Sequence, residues 1–259
     1  MPEGDAVWRA AVRLREALDD RELTRSDFRV PRFATADLRG RRVLTTVSRG
    51  KNLLTRFEGG ATLHTHLRME GRWRISKAGA PLRRGDVVRV VLANTVWQAV
   101  GVKLGVVELL PTSREDEVVG HLGPDLLGPD WNTETAVANL RREPGRTIGE
   151  ALLDQRNLAG IGTIWRAETL FVARVSPWRR TGDVADLAGL AETAHRLLDA
   201  GKDEHGPVTT GDPRPGRGLF VYGRAHQPCR VCGTIIEREE MGSQPQQRLI
   251  YWCPRCQRG

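Results

Sequence analysis

The chain has 259 residues, 39% of them apolar and 28% charged, with a formal net charge of +8. That length allows two domains with separate cores, and the positive surplus points to a polyanionic partner, nucleic acid first. No run approaches the roughly 18 apolar residues of a membrane span, and MPEGDAVWRA has neither the basic nor the apolar region of a signal peptide, so a cytoplasmic protein without membrane or lipid anchor is expected.

Residues 5–20 read as a helix opening at Gly4-Asp5, with Val7, Ala11, Leu14 and Leu18 on one face and charges on the other. From 28 to 110 the period changes. RVLTTVSR, NLLTRFEG, ATLHTHLR, GRWRIS, DVVRVVLA and GVVELLP are short, β-branched and separated by Gly, Asn or Pro, a pattern that suits a two-layer antiparallel sandwich. The two Gly-Pro steps of HLGPDLLGPDW, residues 121–131, break regular structure and mark a domain boundary. Helical patterns resume at 133–142, 147–157, 162–173 and 184–204. Thr147 and Glu150 are spaced as a capping box, and Ala159-Gly160-Ile161-Gly162 turns into a helix whose first N–H groups can hold a phosphate. Residues 206–218, GPVTTGDPRPGRG, form a turn-rich loop. The expected fold class is α+β. An N-terminal sandwich domain (1–128) with flanking helices precedes a C-terminal helical domain (129–259) that ends in a zinc-finger hairpin (222–259).

All four cysteines fall in that last segment, as Cys229-x2-Cys232 and Cys253-x2-Cys256 with 20 residues between the pairs. Each pair fits a tight knuckle, and four thiolates converging on one ion is the pattern of a zinc ribbon. One structural Zn²⁺ is expected, because a closed shell of four thiolates leaves no position for a reacting water.

The N-terminus offers chemistry of another kind. Met before Pro is normally removed in the cytosol, which leaves Pro2 with a free secondary amine able to attack an electrophilic sugar carbon and form an iminium. Glu3 beside it supplies a carboxyl for proton transfer, and the positive end of the following helix lies near it. Taken alone, MPE at the start of a chain is more often an ordinary terminus.

Taken in order, MPEGD, SRGKNLL (48–54), HLRMEG (66–71), HLGPDLL (121–127), LLDQRNLAGIGTIWRAETLF (152–171), LFVYGR (219–224) and CRVC…RLIYWCPRCQ (229–257) resemble the formamidopyrimidine-DNA glycosylase/endonuclease VIII family along nearly the whole chain. The resemblance implies a sandwich followed by a helix–two-turn–helix domain with a zinc ribbon. It implies a bifunctional DNA glycosylase and AP lyase of base excision repair, acting as a monomer on damaged double-stranded DNA and associated with a bacterial nucleoid. Pro2 would attack C1′, Glu3 would shuttle protons, and β,δ-elimination would cut the strand without a diffusible cofactor. Lys51 would contact phosphate near the damaged sugar, and Arg248 would clamp phosphates from the tip of the zinc hairpin. Met69 would wedge into the duplex where the base has left. Further DNA contacts would come from His66 and Arg68, from Asn157, Gly162 and Thr163 around the helical turn, and from Tyr222 and Arg224 of LFVYGR.

Some positions depart from the family pattern. Thr163 stands where Asn is usual. Gly4 follows Glu3, VWQAVGVKLG (96–105) contains no Arg-Phe pair, and the 206–218 loop is short. The last three lean toward the endonuclease VIII branch and oxidised pyrimidines, and the overall pattern resembles an actinobacterial, high-arginine member of that branch. Two other readings compete: an AP lyase with weak glycosylase activity, acting also on single-stranded or bubble DNA, and a catalytically silent zinc-ribbon DNA-binding protein.

Overall fold

The computed structural model describes residues 2–85, 87–204, 206–245 and 247–258; Met1, whose removal is expected from the sequence, lies outside them. The chain divides into two compact units, Met1–His121 and Leu122–Gly259.

The first unit opens with α1 (Gly4–Leu18). Its buried stripe of Val7, Ala11, Leu14 and Leu18 is the helical period read in the sequence. The strands are β1 (Arg25–Phe28), β2 (Val43–Arg49), β3 (Asn52–Phe57), β4 (Ala61–His66), β5 (Arg72–Lys77), β6 (Val88–Ala93), β7 (Trp97–Val102) and β8 (Val106–Pro111). They form two four-stranded antiparallel sheets ordered β1-β6-β7-β5 and β2-β3-β4-β8. α1 packs against β2 and β3 of one sheet and β5 and β7 of the other. Its apolar stripe therefore joins Leu53, Phe57, Leu63, Trp73, Val90 and Leu92 in one core. The sandwich expected from the alternating segments is present. The one-turn helix α2 (Asp116–Val119) after β8 had no signal in the sequence reading. Glu115, just before it, bonds Arg56 of β3 through both oxygens (2.8 and 2.7 Å) and Thr62 of β4 (2.7 Å).

The second unit contains α3 (Thr133–Leu140), α4 (Ile148–Ala151), α5 (Thr163–Val172) and α6 (Leu187–Gly201). It closes with a hairpin of β9 (Glu237–Met241) and β10 (Arg248–Trp252). α6 packs on α3 and α5, and α5 packs on β10, around a core that includes Trp165, Leu170, Leu198 and Ile250. Asn132 caps α3 by accepting from the Thr135 N–H (2.7 Å), and Asp186 caps α6 at Gly189 (2.7 Å). The helix expected over 147–157 is corrected to the single turn of α4. The Asp154 carboxylate accepts from the Arg156 N–H (3.1 Å), and the Asp154 carbonyl from Asn157 N–H (2.9 Å), so local side-chain bonding wins over helix continuation. The capping box is also corrected: the Thr147 hydroxyl donates to the Glu150 carboxylate (2.5 Å) instead of either side chain reaching a backbone N–H. Among the described residues no helix is long and apolar enough to cross a membrane.

Candidate active site

In the first unit Glu3 is the N-cap residue of α1, in extended conformation, and only 2% exposed, while Pro2 before it is half-buried. A carboxyl inside the protein thus adjoins the residue whose nitrogen would carry the chemistry. Asp5, in the first turn of the helix, is also buried and pairs with Arg9 (2.9 Å). Acidic groups at this end are favoured by the helix dipole.

Lys51 lies at the tip of the β2–β3 hairpin. Arg49 pairs with Asn52, so Gly50 and Lys51 form a two-residue turn, and Gly50 has φ +56°, which a two-residue turn of this class requires at its first position. The pairing continues from Asn52 to His66 at the end of β4. Beneath the turn the Asn52 amide donates to the Arg49 carbonyl (3.2 Å), and its oxygen lies 2.9 Å from His64 Nε2. His64 Nδ1 is 3.0 Å from Glu108. This buried chain of polar groups fixes the hairpin that presents Lys51.

His66 Nδ1 accepts the Arg68 N–H (2.9 Å). Burial first, then the positive charges of Arg68 and Lys51, hold the His66 imidazole down to about 4, so the ring is neutral at physiological pH. With Nδ1 accepting, its proton belongs on Nε2. Arg68 itself has φ +54°, a conformation uncommon for residues other than glycine, asparagine or aspartate, and its side chain lies across Gly105. The strained turn holds Met69 outward, 64% exposed, while the buried Leu67 anchors the other side. An apolar side chain that exposed has no part in the core.

In the second unit Gly162 is the N-cap of α5 and Thr163 its first residue. The turn before them is held by Gln155, whose amide donates to the Leu153 and Ile161 carbonyls (2.9 and 3.0 Å) and whose oxygen accepts the Gly160 N–H (3.1 Å). Asn157 donates to the Ala151 carbonyl (2.9 Å) at the end of α4. Arg224 is half-buried, donating to the Phe220 and Pro228 carbonyls (2.5 and 2.8 Å). Tyr222 packs its ring against Tyr251 at 5.0 Å. Arg248 opens β10 on the exposed side of the hairpin and donates to the Gln247 carbonyl (2.8 Å).

The four cysteines converge as expected: their sulfurs lie within 4.8 Å of one another. Cys229 to Cys256 is 3.9 Å and Cys232 to Cys253 is 3.4 Å. A tetrahedron with Zn–S bonds of about 2.3 Å has edges near 3.8 Å, so the cluster fits one Zn²⁺. Gln257 ties the cluster to the helical part, accepting from Cys253 N–H (2.9 Å) and donating to the Val175 carbonyl (3.0 Å).

Residues 1–101 match the formamidopyrimidine-DNA glycosylase N-terminal domain, and residues 122–201 match the formamidopyrimidine-DNA glycosylase H2TH domain. The chain belongs to the formamidopyrimidine-DNA glycosylase/endonuclease VIII family. Among relatives of this glycosylase-family chain, a probable endonuclease 8 2 of Streptomyces coelicolor is 52% identical, covering 100% of this chain and 95% of the relative. The DNA-(apurinic or apyrimidinic site) lyase Nei2 of Mycolicibacterium smegmatis is 44% identical over 99% of both chains. In fold the chain resembles Lactococcus lactis formamidopyrimidine-DNA glycosylase, solved bound to DNA containing an AP site, with a TM-score of 0.85, 23% identity, and coverage of 99% of this chain and 100% of that one.

Two residues of this family member escaped the sequence reading. Glu168 of α5 is fully buried, and its carboxylate accepts the N–H groups of Phe220, Val221 and Tyr222 (2.8 Å each) and the Thr209 hydroxyl. Arg166, equally buried, donates to the carbonyls of Gly149 (3.1 Å) and Leu249 (2.6 Å). No signal in the sequence marks them: that every residue from Trp165 to Phe171 is buried, which obliges a charge there to find partners, is a property of the fold.

Proposed function

We propose that this DNA glycosylase and AP lyase of base excision repair works through the amine of Pro2, with Glu3 moving protons and Lys51 and Arg248 holding phosphate. The observation that carries the reading is the buried Glu3 carboxyl beside half-buried Pro2 at the start of α1, in a chain of this family. Attack of the Pro2 nitrogen on C1′ forms the N–C bond as the glycosidic bond breaks, and the base leaves with a proton. The sugar ring then opens, the C1′–O4′ bond breaking as Glu3 delivers a proton to O4′, and the iminium left on C1′ acidifies C2′. Loss of that proton expels the 3′ phosphate, and a second elimination expels the 5′ phosphate. A buried carboxyl adjacent to the nitrogen suits proton delivery and removal in a site of low water content.

DNA contacts are assigned to His66, Arg68 and exposed Met69 on the turn after β4, to Gly162 and Thr163 at the N-terminus of α5, and to Tyr222. Met69 fits an apolar plug for the space left by a flipped base. Asn157 and Arg224 bond their own backbone surroundings and would act by shaping their loops. The substrate is damaged double-stranded DNA, bound by a monomeric, cytoplasmic, nucleoid-associated enzyme, with oxidised pyrimidines preferred. The endonuclease 8 names of similar proteins and the short β7–β8 connection support that preference. The domains are taken as 1–128 for catalysis and 129–259 for DNA binding.

A second reading, an AP lyase with little glycosylase activity, is favoured by the relative named for lyase activity. Duplexes carrying thymine glycol, 5-hydroxyuracil, 8-oxoguanine or a ready-made abasic site, incubated with borohydride, separate the two. A covalent band with an oxidised pyrimidine that disappears in Pro2→Gly supports the glycosylase. A band with the abasic site alone supports the lyase. Tight binding without any band overturns the role of Pro2.

A further inference from the structure

The second unit contains a buried cation that the reaction does not use. Arg166 is 0% exposed on a helix whose whole middle is buried. A charged group in such a place contributes little net stability compared with an apolar side chain of the same volume, but its hydrogen bonds are directional. Those bonds run to α4 and to both strands of the zinc hairpin. One terminal nitrogen donates to the Leu249 carbonyl (2.6 Å), one residue beyond Arg248. The other donates to the Gly149 carbonyl (3.1 Å) and lies 3.8 Å from Met241 Sδ. Met241 ends β9 and pairs with Arg248 across the ladder. Its sulfur occupies a niche against Gly149, where a Cβ would come within 2.5 Å of it. One planar guanidinium thus ties α4 and α5 to the last residue before the hairpin tip and to the strand just after it.

We propose that Arg166 is a positioning residue that fixes the direction in which the zinc hairpin presents Arg248 to phosphate. The inference rests on the reading of Arg248 as a phosphate clamp. A planar fork with two terminal nitrogens reaches two carbonyls at fixed angles, which a lysine ammonium cannot reproduce.

The test is a double-mutant cycle on the full-length, zinc-loaded protein. Arg166→Met, Arg166→Lys, Arg248→Ala and the combination of each Arg166 variant with Arg248→Ala are titrated with a duplex containing a tetrahydrofuran abasic-site analogue. Affinity is read by fluorescence anisotropy, and zinc content and melting are recorded beside it. Arg248→Ala is expected to weaken binding roughly tenfold or more, as loss of a charge-assisted contact does. Arg166→Met should weaken it about three- to tenfold at unchanged zinc content, and less than about twofold more once Arg248 is absent. Arg166→Lys should fall between wild type and Arg166→Met, and it carries the same cycle if the Met variant does not fold. Full additivity with Arg248→Ala, or wild-type affinity in both Arg166 variants while Arg248→Ala is impaired, overturns the positioning role and leaves the Arg248 reading intact. Wild-type affinity in Arg248→Ala overturns that reading and this proposal with it.

Discussion

Replacing Glu168 by Gln tests whether one buried carboxylate organises the segment from Thr209 to Tyr222. Oε1 accepts two backbone N–H groups, from Val221 and Tyr222, and Oε2 accepts one from Phe220 together with the Thr209 hydroxyl. The glutamine amide has one oxygen and one NH₂. Whichever way it is turned, the NH₂ faces at least one backbone N–H, donor against donor. The substitution therefore removes one or two hydrogen bonds to a carboxylate, each worth about 1.5–3 kcal/mol, and leaves a buried N–H without an acceptor. A total near 3 kcal/mol corresponds to a fall of roughly 6–12 °C in Tm, at about 2–4 °C per kcal/mol for a protein of this size. Calorimetry reads the Tm, and hydrogen exchange reads the amides of Phe220, Val221 and Tyr222, which should lose protection before the α5–α6 core does. A melting temperature within about 1 °C of wild type, with the Val221 amide still protected, would refute the reasoning.

Other outcomes follow from the same geometry. Cys253→Ser should lower bound zinc, measured by atomic absorption, from one equivalent to near zero and loosen the hairpin that carries Arg248, because Cys253 is one of the four converging thiols and is fully buried. His66 is neutral in the folded protein down to about pH 4 but protonates near 6.5 when unfolded, so the unfolded chain binds more protons between those values. Stability attributable to His66 is therefore present above about pH 6.5 and lost as pH falls toward 4, and His66→Asn should flatten urea-unfolding curves collected across that window. Glu115 is held below the ordinary carboxylate range, chiefly by hydrogen bonds from Arg56. Its contribution is present above its unfolded value of 4.5 and fades as pH falls below that; Glu115→Gln should cost about 1–2 kcal/mol at pH 7, allowing for the solvent around Arg56, and less at pH 3.

Sequence by itself determined the parts that rest on local periodicity and on chemistry carried by adjacent residues. The stripe on α1, the alternation of the sandwich strands and the two Cys-x2-Cys pairs each specify structure over a few residues, and the fold contains all three. The ordered motifs likewise identified the family, because each motif is contiguous. Local rules misjudged 147–157, where the apolar pattern favoured a helix and the Asp154 side chain bonded the backbone instead. What only the tertiary structure decided is where the buried charges go. Arg166 and Glu168 are two residues apart in sequence, yet one bonds Leu249 and the other Phe220, Val221 and Tyr222. Nothing in the helical period names partners 52 or 83 residues away. Those bonds exist because α5 is buried on every side, and a charge there must take whatever polar groups the fold brings within reach.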